Sequence, residues 1–325
     1  MFYPAIKFAV KLSLTIFCRK INIGNVDHFK NKGPLLITAN HPNSFLDAII
    51  IGVHFKQPVH FLARGDAFNS PFAKYIFGLL NMIPVYRLSE GKENLSLNEE
   101  TFKRSKEILN NNGIVLIFIE GISLHKHELQ PFKKGASRIA KDSIDKEGLQ
   151  VMPLGIAYDS FEKFGKTINM VAGSPIPVKE LLPFDEEAKN MRYFNEKIFA
   201  ELIKNIHVPE RIPATKKTDQ FLYFLPGLLG YLLHAPLYFI LKTIIQKKTR
   251  GTVFFDSVLL GALLIIYPLY LLLWLLLLIL FSANPLTIII VLLIHPLLAW
   301  VAVRWRAASR RYAIVVKHAK IMIAS

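Results

Sequence analysis

The stretch PLLITANHPNSFLD, residues 34–47, decides the fold. Its first half, residues 34–40 (PLLITAN), is a short apolar run behind the turn signal Gly33-Pro34, a strand signal. Pro42 then pushes His41 towards extended geometry and out of a helix. Ser44 and Asp47 stand in the S-x-x-D spacing of a helix start. A strand, a tight loop and a helix in immediate succession open an α/β layer.

The same alternation continues downstream. Residues 58–63 (PVHFLA), Met82–Tyr86, Ile114–Ile119, Val151–Ala157 and Thr167–Val171 read as strands. Residues 71–80, Leu95–Asn110, Gly135–Asp142 and Phe184–Ile203 read as helices. Leu95–Asn110 meets a strong stop at Asn111-Asn112-Gly113. Ile114–Ile119 is unbroken and β-branched, so it belongs in the sheet interior. The expected fold class is α/β: a layered domain with a mixed central sheet flanked by helices, followed by C-terminal transmembrane helices.

The 325 residues are 52% hydrophobic and carry a formal net charge of +16. That composition disfavours both a disordered chain and a purely soluble one. A single cysteine, Cys18, excludes an intramolecular disulfide framework and a cysteine zinc cluster. Residues 1–220 hold 30 Lys/Arg and 23 Asp/Glu, a net of +7. Residues 221–325 hold 10 Lys/Arg and one acid, Asp256, a net of +9. The second part is the apolar one. Runs 257–283 and 286–303 are near or above the ~20 residues that span a bilayer, and the short Asn284-Pro285 connector makes them a hairpin. Basic residues flank the hairpin on both sides, which places both flanks in the cytoplasm. Run 221–241 contains Pro226, Pro236 and His234, and is expected to be re-entrant or interfacial, with a full span as the alternative. At the N-terminus, Phe2, Ile6, Ala9, Val10, Ser13 and Phe17 follow helical spacing between cations. That suits an amphipathic helix on an anionic membrane, or an ordinary helix packed on the domain. No small-residue cleavage site follows it, so a cleaved signal peptide is not expected. The expected organisation is a surface helix over 1–20, a globular α/β domain over 21–220 and a membrane tail over 221–325.

Four blocks could carry chemistry. His41 in a strand-end loop, with Asp47 on the next helix, has the residue types of a general base and its orienting carboxylate. On spacing alone the pair is equally a turn residue and a cap. Glu120 and Gly121 end the Ile114–Ile119 strand; the carboxylate could accept from a substrate hydroxyl, or the two could make a simple turn. Arg87, at the end of MIPVYR, suits a phosphate or a surface ion pair. Lys133 and Lys134 precede a helix start, which makes an anion site or a solvated charge run.

Taken together, NHPNSFLD, IPVYR, FIEGIS with PFKKGASRIA, and VMPLGIAY resemble, in order, the four motifs of the glycerolipid acyltransferases, over roughly residues 20–205. The resemblance implies an acyltransferase-type domain in which His41 deprotonates the acceptor hydroxyl and Asp47 orients it. It further implies that Arg87 contacts the acceptor phosphate, that Glu120 and Gly121 bind the acceptor, and that Lys133 adds a phosphate contact. Pro153 matches a position tied to acyl-chain and fold architecture. No metal, no other cofactor and no covalent enzyme intermediate is implied; the co-substrate is an acyl-CoA or acyl carrier protein thioester. The oxyanion would be held by backbone N–H groups near the His41 loop or the helix start. Two departures stand out: five residues rather than four separate His41 from Asp47, and Ile119 and Ile122 replace a frequent Pro and Thr. The wording resembles a glycerol-3-phosphate or dihydroxyacetone-phosphate subgroup, with 1-acylglycerol-3-phosphate acyltransferase as the alternative. The implied partners are an anionic phospholipid bilayer, a phosphorylated glycerol acceptor and the acyl donor, at a bacterial inner membrane with the catalytic domain cytoplasmic.

Other classes fare worse. A catalytically inactive, membrane-tethered lipid-binding protein would not need the His41/Asp47 pair. A serine hydrolase would need G-x-S-x-G, which is absent from the sequence. His125 and His127 lack H-E-x-x-H spacing, so no metal site is expected there. No interleaved aromatic and basic motif supports nucleic-acid binding.

Overall fold

A computed structural model describes residues 2–86, 96–209 and 217–323. The elements run α1 (Phe2–Phe17), β1 (Cys18–Gly24), β2 (Leu35–Ala39), α2 (Phe45–His54), β3 (Val59–Arg64), α3 (Pro71–Leu79) and β4 (Met82–Val85). They continue with α4 (Asn98–Asn110), β5 (Ile114–Phe118), α5 (Gly135–Asp142), β6 (Gln150–Tyr158), β7 (Lys166–Ala172), β8 (Ile176–Pro177), α6 (Val178–Leu181) and α7 (Glu187–Asn205). Three long helices follow: α8 (Lys217–Lys248), α9 (Phe255–Leu280) and α10 (Pro285–Ile323). The chain divides into two compact units. One holds Met1–Phe8, Asn22–Tyr158 and Asn169–Val208; the other holds Ala9–Ile21, Asp159–Ile168 and Pro209–Ser325.

The first unit is built on an eight-stranded sheet in the order β1-β7-β6-β2-β5-β3-β4, with β8 on β6. The sheet is mixed: β2 runs parallel to β5 and β6, β3 runs parallel to β4 and β5, and β8 is antiparallel to β6. The α/β expectation holds. Every residue of β2 is buried, as a strand flanked by neighbours and covered on both faces requires. Register puts Ala39 opposite Phe118, so the loops after β2 and β5 leave the same edge of the sheet. Behind β5, a core of Leu36, Val115, Ile117, Ile139, Phe194 and Ile198 holds helices α5 and α7 to the sheet. Helix α4 ends as its sequence demands: Asn112 is left-handed (φ 56°), and the N–H of Gly113 reaches back to Ile108 O at 2.8 Å.

In the second unit, three stretches are long and apolar enough to cross a membrane: Tyr223–Lys248, Phe255–Leu280 and Pro285–Trp305. The run 221–241 lies inside one continuous helix, α8, with Pro226 and Pro236 in its interior. Each proline removes one intrahelical bond, a loss that neighbouring helices can cover. Helix α8 packs closely on α10. A Cβ on Gly230 would sit 2.2 Å from Leu298 O, and one on Gly227 would sit 2.6 Å from Trp305 Cγ. On α1, Val10, Leu14 and Phe17 are buried, whereas Phe8 and Leu12 are exposed. Asp256, the one acid of the tail, is fully buried in an ion pair with Lys166, and also accepts the N–H of Glu162 at 3.1 Å.

Candidate active site

The site gathers at the edge where β2, β5 and β6 end. His41 follows β2, and its ring stacks on Phe118 at the end of β5, with centroids 3.7 Å apart and planes 11° apart. Asp47 lies in the first turn of α2 with no exposed side-chain surface. Its Oδ2 accepts from His41 Nδ1 at 2.9 Å and from the N–H of Asn43 at 2.7 Å. Its Oδ1 accepts from the Tyr158 hydroxyl at 2.5 Å. A buried carboxylate is costly unless hydrogen-bonded, and these three partners satisfy it. Asp47 therefore does not act as a simple cap partner: it holds Nδ1–H of His41, leaving Nε2 as the basic nitrogen of a ring that is 18% exposed. Ser44, before α2, adopts φ 52°, a strained geometry for a residue with a side chain.

The Glu120 carboxylate ties the loops together. One oxygen accepts the N–H of His41 at 2.8 Å, the other the N–H of Gln130 at 2.9 Å. Burial pushes its carboxyl above the ordinary carboxylate range, and the two amide bonds oppose that shift. Gly121 takes φ +64°, and a Cβ there would lie 2.9 Å from Lys133 Cγ. The N–H of Lys133 donates to Ile119 O at 2.8 Å. Thus His41, Asp47, Glu120, Gly121 and Lys133 come together in one unit, as their grouping into motifs anticipates. Arg87 lies outside the described residues. Pro153 lies in β6, opposite Thr38 of β2.

The loop amides are already engaged. His41 N–H donates to Glu120, Asn43 N–H to Asp47 and Ser44 N–H to Ser123 Oγ at 2.8 Å, while Pro42 has no N–H. An oxyanion hole made of these amides alone would have to break one of those bonds. Asn40 fixes the loop from the other side, exchanging bonds of 2.9 and 2.8 Å with the backbone of Ile156.

Sequence reasoning missed Tyr158, Phe118, Asn40 and Ser123. The signal for Tyr158 was its place at the end of VMPLGIAY, because ends of neighbouring parallel strands share one edge of a sheet.

Comparison with known proteins bears on this same region. Residues 20–157 match the Acyltransferase family model. Over this segment the chain is similar to the acyltransferase family. The resemblance carried by the four motifs therefore holds over the domain that contains His41, Asp47 and Glu120. Over 139 residues the chain is 27% identical to a chloroplastic 1-acyl-sn-glycerol-3-phosphate acyltransferase of Arabidopsis thaliana, covering 42% of this chain and 35% of that protein. Over 121 residues it is 27% identical to a chloroplastic 1-acyl-sn-glycerol-3-phosphate acyltransferase of Brassica napus, covering 37% and 32%. The chain thus spans about a third of the length of the curated relatives it matches. The crystal structure of the 1-acyl-sn-glycerophosphate acyltransferase PlsC from Thermotoga maritima aligns with a TM-score of 0.46 at 19% identity, over 62% of this chain and 78% of that one.

Proposed function

We propose that the protein moves a fatty acyl group from an acyl-CoA or acyl carrier protein thioester to a hydroxyl of glycerol-3-phosphate or a closely related phosphorylated glycerolipid, as a step of phospholipid biosynthesis. The observation that carries this reading is the bond from His41 Nδ1 to a fully buried Asp47, inside the acyltransferase domain. His41 Nε2 takes the proton of the acceptor hydroxyl as the hydroxyl oxygen bonds to the thioester carbonyl carbon. Asp47 stabilises the imidazolium that forms. The tetrahedral intermediate collapses, the C–S bond breaks, and the leaving thiolate takes up the proton. Glu120 holds the backbone of His41 in place throughout.

Arg87 and Lys133 supply cations for the acceptor phosphate, and Gly121 keeps the turn beside Lys133 open. Three helices able to span a bilayer, together with the tail's net +9, support residence in an anionic membrane. We place it in a bacterial inner membrane with the acyltransferase domain and both basic flanks of the α9–α10 hairpin on the cytoplasmic side, which requires that α8 not cross the bilayer. The names of the two plant relatives favour 1-acylglycerol-3-phosphate as the alternative acceptor.

Purified full-length protein, given palmitoyl-CoA or palmitoyl-acyl carrier protein and a panel of glycerol-3-phosphate, dihydroxyacetone phosphate and lysophospholipids, separates these cases by product mass. A new ester on glycerol-3-phosphate supports the first acceptor, and one on 1-acylglycerol-3-phosphate the alternative. Release of free fatty acid alone refutes acyl transfer.

A further inference from the structure

The second unit contains a cavity of about 750 Å³, within the ~300–1,000 Å³ typical of small-molecule sites. None of the residues assigned above to acyl transfer lines it. All its walls belong to this one unit: α1 from Ala9 onward, Arg19 of β1, the turn 159–165, and helices α8, α9 and α10.

The lining has two characters. Leu12, Ile16, Leu237, Leu264, Leu271 and Val303 make an apolar wall. Arg19, Lys163, Lys242, Asp159 and Glu162 make a charged rim. Arg19 and Asp159 pair at 3.2 Å and offset each other. Lys163 is exposed and Lys242 half-buried, and among the described residues neither belongs to a salt bridge. The rim thus presents two lysines against one remaining acid, Glu162. On the wall, His234 Nε2 and the Tyr267 hydroxyl meet at 3.2 Å. Polar side chains on membrane-spanning helices are costly against lipid and mark functional cavities.

We infer that this cavity holds a phospholipid from the surrounding bilayer, with an acyl chain between α8, α9 and α10 and its anionic phosphate at Lys163 and Lys242. The bilayer is the source because all three helices are long and apolar enough to cross it, so a chain-bearing molecule reaches the wall laterally. Water gains little there, because a water needs two to four polar partners and most of the wall offers none. The lysines select the headgroup: ammonium groups beside a membrane attract anionic lipid. This site does not depend on the acyl-transfer reading.

The test is photolabelling of the full chain in phosphatidylcholine vesicles containing phosphatidylglycerol with a diazirine in one acyl chain, with labelled residues mapped by mass spectrometry. Label is expected at Leu237, Leu264 and Leu271, above the level at Ile265 and Leu276, which are exposed and lie outside the lining. The K163A/K242A double variant should lose about tenfold of the phosphatidylglycerol label, the order expected for two charge-assisted contacts, yet keep the label from diazirine-diacylglycerol. L264W should lose both labels. Even labelling of lining and exposed positions, unchanged in either variant, would overturn the inference. Preferential labelling of the same residues by diazirine-lysophosphatidic acid would overturn the bilayer source.

Discussion

Replacing Asp47 by asparagine isolates charge from shape. The side chain is fully buried and has three bonds to satisfy, from His41 Nδ1, Asn43 N–H and Tyr158 Oη. An asparagine with its oxygen towards His41 and Asn43 keeps the first two bonds. Its amide nitrogen then donates to the Tyr158 hydroxyl, which rotates to accept. The histidine tautomer and loop geometry survive, and only the negative charge beside the imidazole is lost. Breaking a buried charge pair costs about 3–5 kcal/mol, and this pair becomes fully charged only as the imidazolium forms. At about 1.4 kcal/mol per decade, kcat should fall about 10²–10⁴-fold with little change in KM. The assay is steady-state thiol release from palmitoyl-CoA with saturating acceptor, run beside D47A. Alanine leaves three buried donors without their acceptor, so D47A should also unfold at a lower temperature. If D47N retains activity within about one decade of the parent, imidazolium stabilisation by Asp47 is refuted.

Three further substitutions probe the supports of the pair. Y158F removes a bond to a buried carboxylate and should cost about 1.5–3 kcal/mol of stability in denaturant titration, with a smaller loss of kcat than D47N because the charge remains. E120Q places an amide NH₂ against the N–H of either His41 or Gln130, so kcat should fall through loss of loop position. The same variant has a pH signature. Because burial raises the folded-state pKa of Glu120, the folded protein binds its proton at higher pH than the unfolded chain. Its contribution to stability therefore grows as pH falls from neutral through the raised pKa and levels off below the ordinary carboxylate range; E120Q lacks this slope, and a parallel pH–stability curve would refute it. G121A forces a Cβ into φ +64° and against Lys133, and should lower stability by about 1–2 kcal/mol and raise the acceptor KM, readable by thermal unfolding and kinetics.

Six of the eight strands were legible because they are apolar runs punctuated by turn residues, and β2 and β5 stand inside the sheet for that reason; β1 and β8, polar or very short, were not. His41 and Asp47 were legible as a pair because only six positions separate them and a proline between them forces a loop. Tyr158 was not, since it reaches Asp47 across 111 positions and only once β6 has paired beside β2. Local spacing also pointed to a conventional cap at Ser44, whereas the Ser44 side chain makes no cap bond and the carboxylate of Asp47 turns to His41 and Tyr158. In the tail, Pro226 and Pro236 lie inside a continuous α8, and the close approach of Gly227 and Gly230 to α10 is a contact no local rule contains.

The central claim is that His41 is the base of acyl transfer, and it is tested most directly by H41A purified at full length beside the parent. With one acyl donor and the best acceptor, the parent should form an ester product detected by mass. H41A should lose about 10²–10⁴-fold of the rate, the usual contribution of a positioned general base, while its unfolding temperature stays close to that of the parent. Ester formation by H41A at the parental rate would contradict the account.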